Sequence, residues 1–233
     1  MTDTPLRTIP VLCLALAATA AHAHVGIASG NAIANASQEV VFQVGHGCND
    51  GTKMVDTYSV KVDIPAGFTA VRPMSSDFGP FTVTKDGSGA VTSITWTKPL
   101  NDVRAEDDSL YKLAVRMKAP NAPFTTAYFP VHQTCRDSGG AETVVHWVGT
   151  PSAPANEPAA ALNIVGAHRP GWNKYTSDRA VTDLSVFFQD AVIVWQGKAA
   201  YSSNESTTAQ IAATAGVTAL AEIAAGEEFW VRY

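Results

Sequence analysis

The fold class follows from the segment Thr57-Tyr-Ser-Val-Lys-Val-Asp-Ile-Pro-Ala-Gly67, in which apolar and polar side chains alternate until a Pro-Ala-Gly turn. Residues 111–118 repeat this period of two, which is typical of antiparallel strands with one buried face. The sequence predicts a mainly β protein, an immunoglobulin- or fibronectin-like β-sandwich with a C-terminal α+β extension. Further strands are predicted at residues 39–44, 81–84, 91–96, 127–133 and 143–148.

The composition is that of a globular protein. The chain has 233 residues, of which 46% are hydrophobic and 16% are charged, and its formal net charge is −5. A core of ordinary size can form, and the dispersed acidic charge argues against nucleic-acid binding. The sequence contains no Gly-rich phosphate loop, no Cys-x-x-Cys pair and no His-Glu-x-x-His motif. Nucleotide chemistry and the common zinc sites are therefore not expected.

The first 23 residues have the features of an export signal. An uncharged apolar run at residues 9–20 is too short to span a bilayer, and Ala21-His22-Ala23 fits a small-x-small cleavage site. We therefore expect residues 1–23 to be a signal peptide and the mature protein to be periplasmic or extracellular. No membrane span is expected in the mature chain.

The two cysteines beyond the leader are Cys48 and Cys135. An even pair in an exported protein favours one disulfide over a thiolate metal site, which is the alternative. The bridge would close a long loop and stabilise the fold by roughly 4 to 5 kcal/mol in the chain-entropy model.

The composition changes after the predicted sandwich, which covers residues 24–149. Residues 150–161 are rich in Pro and Ala and predict a linker or a long surface crossing. Residues 162–233 form an extension of unknown role. Within it we expect strands at residues 184–188, 191–195 and 227–233, a helix that opens with a capping box at residues 207–210, and helical turns within 218–226.

Cleavage after Ala23 would leave His24 as the first residue of the mature chain. Its α-amine and its imidazole Nδ1 can then chelate one metal ion, because both nitrogens lose their protons near neutral pH. Nitrogen ligands favour Cu(II), which also heads the divalent affinity order. The alternative is that a histidine at this position is incidental.

Five segments together resemble the YcnI copper-binding domain family, over about residues 24–155. The resemblance implies a sandwich whose N-terminal histidine, here His24, braces Cu(II), with a carboxylate and a nearby tryptophan completing the site. On this sequence the carboxylate falls on Glu39 and the tryptophan on Trp147, which would lie beside the ion rather than bind it. The matching segments are Ala23-His24-Val25, Val44-Gly45-His46-Gly47-Cys48, Val62-Asp63-Ile64-Pro65-Ala66-Gly67, Gln133-Thr134-Cys135 and Val144-Val145-His146-Trp147-Val148-Gly149.

Four further histidines follow His24 in the chain. His46 and His132 are close in sequence to Cys48 and Cys135, so we expect them together near the disulfide in a structural role. His146 precedes Trp147 on a predicted strand and therefore points to the opposite face, which leaves it as a reserve ligand. His168 is expected in an exposed loop.

Three hypotheses of function follow. The leading one is an exported protein without enzymatic activity that sequesters, stores or delivers Cu(II), with another exported or membrane copper-handling protein as a partner. The second is a metal-free exported interaction module. The third is a copper oxygenase, which would require a second histidine at the metal.

Overall fold

The computed structural model describes residues 24–233, so the predicted signal peptide, residues 1–23, lies outside the described residues. Nineteen strands, two α-helices and a short 3-10 helix at Leu100–Asp102 are assigned within this part of the chain. The strands are β1 Gly26–Ile27, β2 Ala32–Ile33, β3 Ser37–Val44, β4 Cys48–Asn49, β5 Met54–Val55, β6 Thr57–Asp63, β7 Thr69–Pro73, β8 Phe81–Lys85, β9 Val91–Thr97, β10 Tyr111–Lys118, β11 Thr125–Phe129, β12 Val131–Arg136, β13 Glu142–Trp147, β14 Ala160–Val165, β15 Trp172–Thr176, β16 Ile193–Gln196, β17 Ala199–Tyr201, β18 Thr218–Ala219 and β19 Glu228–Arg232. The helices are α1 Leu184–Phe187 and α2 Glu205–Ala213.

The first unit is a β-sandwich. One sheet has the order β1-β3-β10-β7, and the other has the order β13-β12-β6-β9-β8. A third sheet, β11-β14-β2, packs into the same hydrophobic core and contains a parallel pair, β14 with β2. The predicted mainly β sandwich with a smaller C-terminal part containing helices is confirmed.

The alternating pattern of the sequence builds the sandwich core directly. Leu113, Val115 and Met117 on β10 are fully buried, while Lys112 and Arg116 on the same strand are exposed. Side chains of a strand alternate between its two faces, so the apolar set of each sheet turns toward the other sheet. The segment predicted as one strand at residues 127–133 is two strands separated by Pro130, which has no backbone N–H for a ladder.

The sandwich extends further along the chain than the sequence predicts. Residues 160–165, expected to end the linker and begin the extension, form β14, and its Leu162 and Ile164 are buried in the sandwich core. Residues 150–157 form the predicted surface crossing, which Gly149 closes by pairing with Pro158. Composition alone did not reveal β14, because the Pro- and Ala-rich segment runs into it without a break.

The C-terminal unit has its own core and a five-stranded sheet of order β15-β19-β16-β17-β18. The strand predicted at residues 227–233 is present as β19, and its Phe229 and Val231 are fully buried. Phe124 joins the two units. It lies just before β11, in the first unit, and is only 3% exposed. Its ring contacts four aromatic side chains of the C-terminal unit, which are Tyr175, Phe187, Phe188 and Phe229.

Three local predictions for the extension were wrong. Residues 184–188 begin as helix α1, because Asp183 accepts the backbone N–H of Val186 and caps it. Helix α2 begins earlier than the capping-box pattern at 207–210 indicates, since Asn204 caps it. Residues 218–226 contain strand β18 instead of helical turns, because Thr218 and Ala219 pair with β17.

A buried ion pair lies at one end of the β6–β9 sheet, and a hydrogen bond from Tyr111 on β10 joins it to the other sheet. Asp56 and Lys98 have side chains 0% and 4% exposed, and Lys98 Nζ lies 2.6 Å from Asp56 Oδ2. The same carboxylate accepts the Arg104 backbone N–H at 2.9 Å and the Tyr111 hydroxyl at 2.7 Å. Burial lowers the pKa of the Lys98 ammonium, and burial together with the bond to Asp56 raises the pKa of the Tyr111 phenol.

The disulfide predicted from the cysteine count is present between Cys48 and Cys135, whose Cα atoms are 5.7 Å apart. It fastens the short β4-β5 hairpin to β12, and both cysteines are buried. In the part of the chain that the structure describes, no helix is both long and apolar enough to cross a bilayer.

Replacing Lys98 with Met should lower the free energy of unfolding by about 3 kcal/mol, because it leaves the Asp56 charge buried without its counterion. Urea unfolding followed by circular dichroism measures the change. Lys174→Met is the matched control, since its ion pair with Glu228 is half-exposed on both sides and should change stability by less than about 0.5 kcal/mol. Equal losses for the two variants would contradict the special role of the buried pair.

Replacing both Cys48 and Cys135 with Ala should lower the free energy of unfolding by about 4 kcal/mol, because the cross-link restricts the unfolded chain over a sequence separation of 87 residues. The measurement is the denaturant midpoint with and without a reductant. The reductant should destabilise the natural protein and leave the double variant unchanged. A reductant effect on the double variant would show that the loss comes from another source.

Candidate metal site

The imidazole of His24 lies against Trp147. The two ring centroids are 5.6 Å apart, and the rings meet edge to face at 73°. Trp147 is 4% exposed and belongs to the sandwich core, whereas His24 is half-buried at the start of the described chain. The residue that the resemblance assigns to the N-terminal brace and the tryptophan assigned beside it are thus neighbours.

Strand pairing explains how His24 reaches this position. Gly26 pairs with Gln43 and Ile27 with Phe42 in the antiparallel pair of β1 and β3. The same register, continued backward by two residues, brings His24 opposite Gly45. His24 therefore lies next to the Gly45-His46-Gly47 turn that follows β3.

His46 is the second histidine at this place, since its ring centroid is 6.3 Å from that of Trp147. Its Nδ1 makes a hydrogen bond to the carbonyl oxygen of Gly47. A carbonyl only accepts, so Nδ1 carries the hydrogen and the neutral ring keeps its lone pair on Nε2. A histidine held in this way by a backbone carbonyl is oriented as metal-binding histidines commonly are.

A fully buried glutamine holds the tryptophan and the His46 turn together. Gln133 Oε1 accepts the indole N–H of Trp147 at 3.0 Å. Gln133 Nε2 donates to the carbonyl oxygen of His46 at 2.7 Å and to Thr57 Oγ1 at 2.9 Å. Both amide hydrogens and the amide oxygen are used, so the network fixes the Trp147 ring relative to the turn.

Glu39 does not join this cluster. It is exposed and pairs with Arg116 on the opposite side of β3 from β1. Glu39 precedes Gln43 by four positions, and His24 lies beyond Gln43 in the other direction. At about 3.4 Å per residue, the strand separates Glu39 from His24 by roughly 20 Å. Strand register, which sequence matching could not supply, removes Glu39 from the neighbourhood of His24.

Asp107 is a carboxylate beside the site, whereas Asp56 and Asp63 are engaged elsewhere. Asp56 is engaged by Lys98, Arg104 and Tyr111, and Asp63 lies on the outer face of the sandwich. Asp107 lies beside the turn: a Cβ atom at Gly47 would sit 3.2 Å from its Cγ and would collide with the carbonyl oxygen of Val55. Gly47 is thus required by close packing. Oδ1 of Asp107 is buried without a hydrogen-bond partner.

The expected grouping of His46 with His132 was wrong. Gln133 faces the core and contacts the His46 turn, so the preceding His132 faces outward on the same strand. His146 also faces outward, as predicted from its place before Trp147. His168 stacks on Tyr233 in the C-terminal unit, with ring centroids 3.8 Å apart. Among the histidines of residues 24–233, His46 is the one that shares the Trp147 ring with His24, and its place after β3 was the sequence signal that could have indicated this.

The donor set at the site is small. Across residues 24–233, no group of three or more His, Cys, Asp or Glu side chains is arranged to hold a metal ion. His24 and His46 therefore offer imidazole nitrogens at one end of the sandwich without an enclosing cage. An ion bound there would need further donors from the backbone, a freed α-amine or water.

Comparison with known proteins gives a family match and distant fold similarities. The profile of a family described as "Domain of unknown function (DUF1775)" matches residues 24–164. This family is the one also known as YcnI. No curated protein matches the chain significantly.

Solved structures with similarity to the chain are remote in sequence. An uncharacterized protein from Nocardia farcinica, described as having an immunoglobulin-like fold, is 22% identical, with a TM-score of 0.49 over 61% of this chain and 98% of that one. The 35 kDa C-terminal fragment of the major pilin GBS80 of Streptococcus agalactiae is 8% identical, with a TM-score of 0.31 over 67% of this chain and 58% of that one.

Replacing Gln133 with Met should lower the free energy of unfolding by about 2 kcal/mol, because the Trp147 indole N–H loses its buried partner. Chemical denaturation measures the loss, and the indole N–H resonance of Trp147 should shift. Gln210→Met is the control, since Gln210 is exposed on α2. If the Gln133 variant is as stable as the control, the amide network does not hold the site.

Proposed function

We propose that this chain, which belongs to the DUF1775 family, is an exported Cu(II)-binding protein whose site is centred on His24. The observation that carries the proposal is the edge-on packing of the His24 imidazole against the buried Trp147, with the His46 ring on the same indole. In this proposal copper is the cargo of the protein. The proposed role is sequestration, storage or delivery, and it involves no reaction step.

The chemistry of the donors supports Cu(II). When the chain is cleaved between Ala23 and His24, the α-amine and Nδ1 of His24 form a chelate, and His46 Nε2 is a third nitrogen in the neighbourhood. Nitrogen donors favour Cu(II), which also heads the divalent series. Cys48 and Cys135, the cysteines among the described residues, are joined in a disulfide and offer no thiolate. This set favours the oxidised ion over Cu(I).

Trp147 would shape the site without ligating the metal. Its indole N–H is used by Gln133, so the ring offers only its apolar body to the His24 side. A buried indole beside the imidazole restricts the ring orientations of His24 and limits access of water on that side. A site with one fixed aromatic side and few ligands suits an ion that is bound and later transferred.

The proposed export of the protein and the proposed transfer of copper to a partner are consistent with each other. A disulfide is stable in the periplasm or outside the cell, which agrees with the expected signal peptide. A site with few protein ligands leaves positions on the ion open to a donor group from another protein. The partner that we propose is therefore an exported or membrane copper-handling protein.

The first test is a Cu(II) titration, followed by electron paramagnetic resonance, on protein whose mass shows that it starts at His24. We expect one equivalent of bound Cu(II) with nitrogen hyperfine structure. His24→Ala should raise the Kd by at least about 100-fold, because it removes the side-chain half of the chelate, and His46→Gln by about tenfold. Unchanged affinity in the His24 variant would overturn the proposal.

Glu39→Gln is the matched control and should leave the Kd unchanged, because Glu39 lies at the other end of β3. A Gly-Ser-Gly-Ser extension in front of His24 tests the amine separately, since it turns the amine of His24 into an amide while keeping the imidazole. We expect the bound-copper spectrum of the mature protein to disappear. Retention of that spectrum would show that the amine is not a ligand.

A further inference from the structure

The outer face of the β12–β13 pair carries two histidines whose rings face each other. His132 and His146 are directly opposite in the antiparallel register. Their Nδ1 atoms are 2.7 Å apart, and their ring centroids are 5.0 Å apart at an angle of 73°. β13 is the edge strand of its sheet, and His146 is exposed.

A carboxylate holds the far side of one ring. His132 Nε2 lies 3.0 Å from Asp63 Oδ2 on β6, and Lys61 Nζ lies 2.8 Å from Asp63 Oδ1. Because a carboxylate accepts, Nε2 of the neutral His132 carries the hydrogen and its Nδ1 keeps the lone pair. His146 Nδ1 is then the donor in the bond between the two rings. Lys61 neutralises Asp63 on the side away from Nδ1.

We propose that His132 and His146 form a second metal-binding site, which takes a divalent late first-row ion through the two Nδ1 atoms. Carboxylate, histidine and metal in sequence form a common arrangement in which the carboxylate fixes the tautomer and raises the basicity of the ligand. His132, with its Nε2–H on Asp63 and its lone pair on Nδ1, already has that tautomer. Imidazole nitrogens suit Zn(II), Cu(II) and Ni(II).

The hydrogen-bonded pair can become a chelate by a change in ring orientation. Metal–nitrogen bonds of about 2.0–2.1 Å hold two ligand nitrogens about 2.9–3.3 Å apart. The two nitrogens need to move apart by a few tenths of an ångström from the 2.7 Å separation, and each ring must turn so that both Nδ1 lone pairs point to one ion. His146 moves its hydrogen from Nδ1 to Nε2, which its exposure permits. Water completes the coordination, because Asp63 is engaged on the other side of the His132 ring.

This site is separate from the one at His24. Gln133 and Trp147, which follow His132 and His146 in sequence, face the core and build the N-terminal cluster. Adjacent residues of a strand point to opposite faces, so the two sites occupy the two faces of the same strand pair.

The test uses Zn(II) alone as the probe, on His24→Ala protein with ¹⁵N-labelled histidines. Zn(II) is diamagnetic, so the ring nitrogen shifts identify the ligand atoms directly. We expect the Nδ1 signals of His132 and His146 to move on addition of one equivalent, and those of His168 to stay. Absence of a shift at either Nδ1, or shifts at Nε2 instead, would overturn the proposal.

Calorimetric titration of variants in the same background measures affinity. His146→Gln should raise the Kd for Zn(II) at least tenfold without affecting folding, because His146 is exposed at an edge. Asp63→Asn should raise it about tenfold while keeping both ligands. His168→Gln is the control and should change nothing. Equal affinity in the His146 and His168 variants would refute the site, and because His24 is already replaced, neither result bears on the N-terminal copper site.

Discussion

The amide of Gln133 is the constraint on which the candidate copper site depends. It is wholly buried, and each of its polar hydrogens and its oxygen has a partner. Those partners belong to three separate parts of the chain: the end of β13, the start of β6 and the turn after β3. Moving this amide would leave buried polar groups without hydrogen bonds. The Trp147 indole and the His46 backbone therefore keep one relative position.

The segment between β3 and β6 is fastened at three points. Gln133 holds the carbonyl of His46, the disulfide holds Cys48, and the buried ion pair with Lys98 holds Asp56. Close approach of Val55 to Gly47 leaves no room for a side chain between them. A loop with so many anchors loses little entropy when it presents a ligand, and this is the physical basis of a preformed site. The His46 segment is therefore held near Trp147 without a conformational change.

The strand pair β12–β13 contributes residues to both proposed metal sites because its side chains alternate between two environments. Gln133 and Trp147 point into the sandwich, where their hydrogen bond is buried and costly to break. His132 and His146 point outward at a sheet edge, where two imidazoles can exchange a hydrogen bond for a shared ion. The alternation that buries the core thus places the His24 site beside the buried Trp147 and the His132–His146 site on the exposed outer face.

Local sequence patterns were enough to predict the sandwich, the disulfide and the final strand. Alternation of apolar and polar residues reports which face of a strand is buried, and an even cysteine count in an exported protein indicates a disulfide. The sequence also singled out His24 and Trp147. Tertiary structure decided the rest. The β1–β3 register places Glu39 far from His24 and the His46 turn next to it. Pairing with β11 makes β14 part of the sandwich. Which residues face each other across strands depends on pairing partners remote in the chain, and no local pattern encodes that choice.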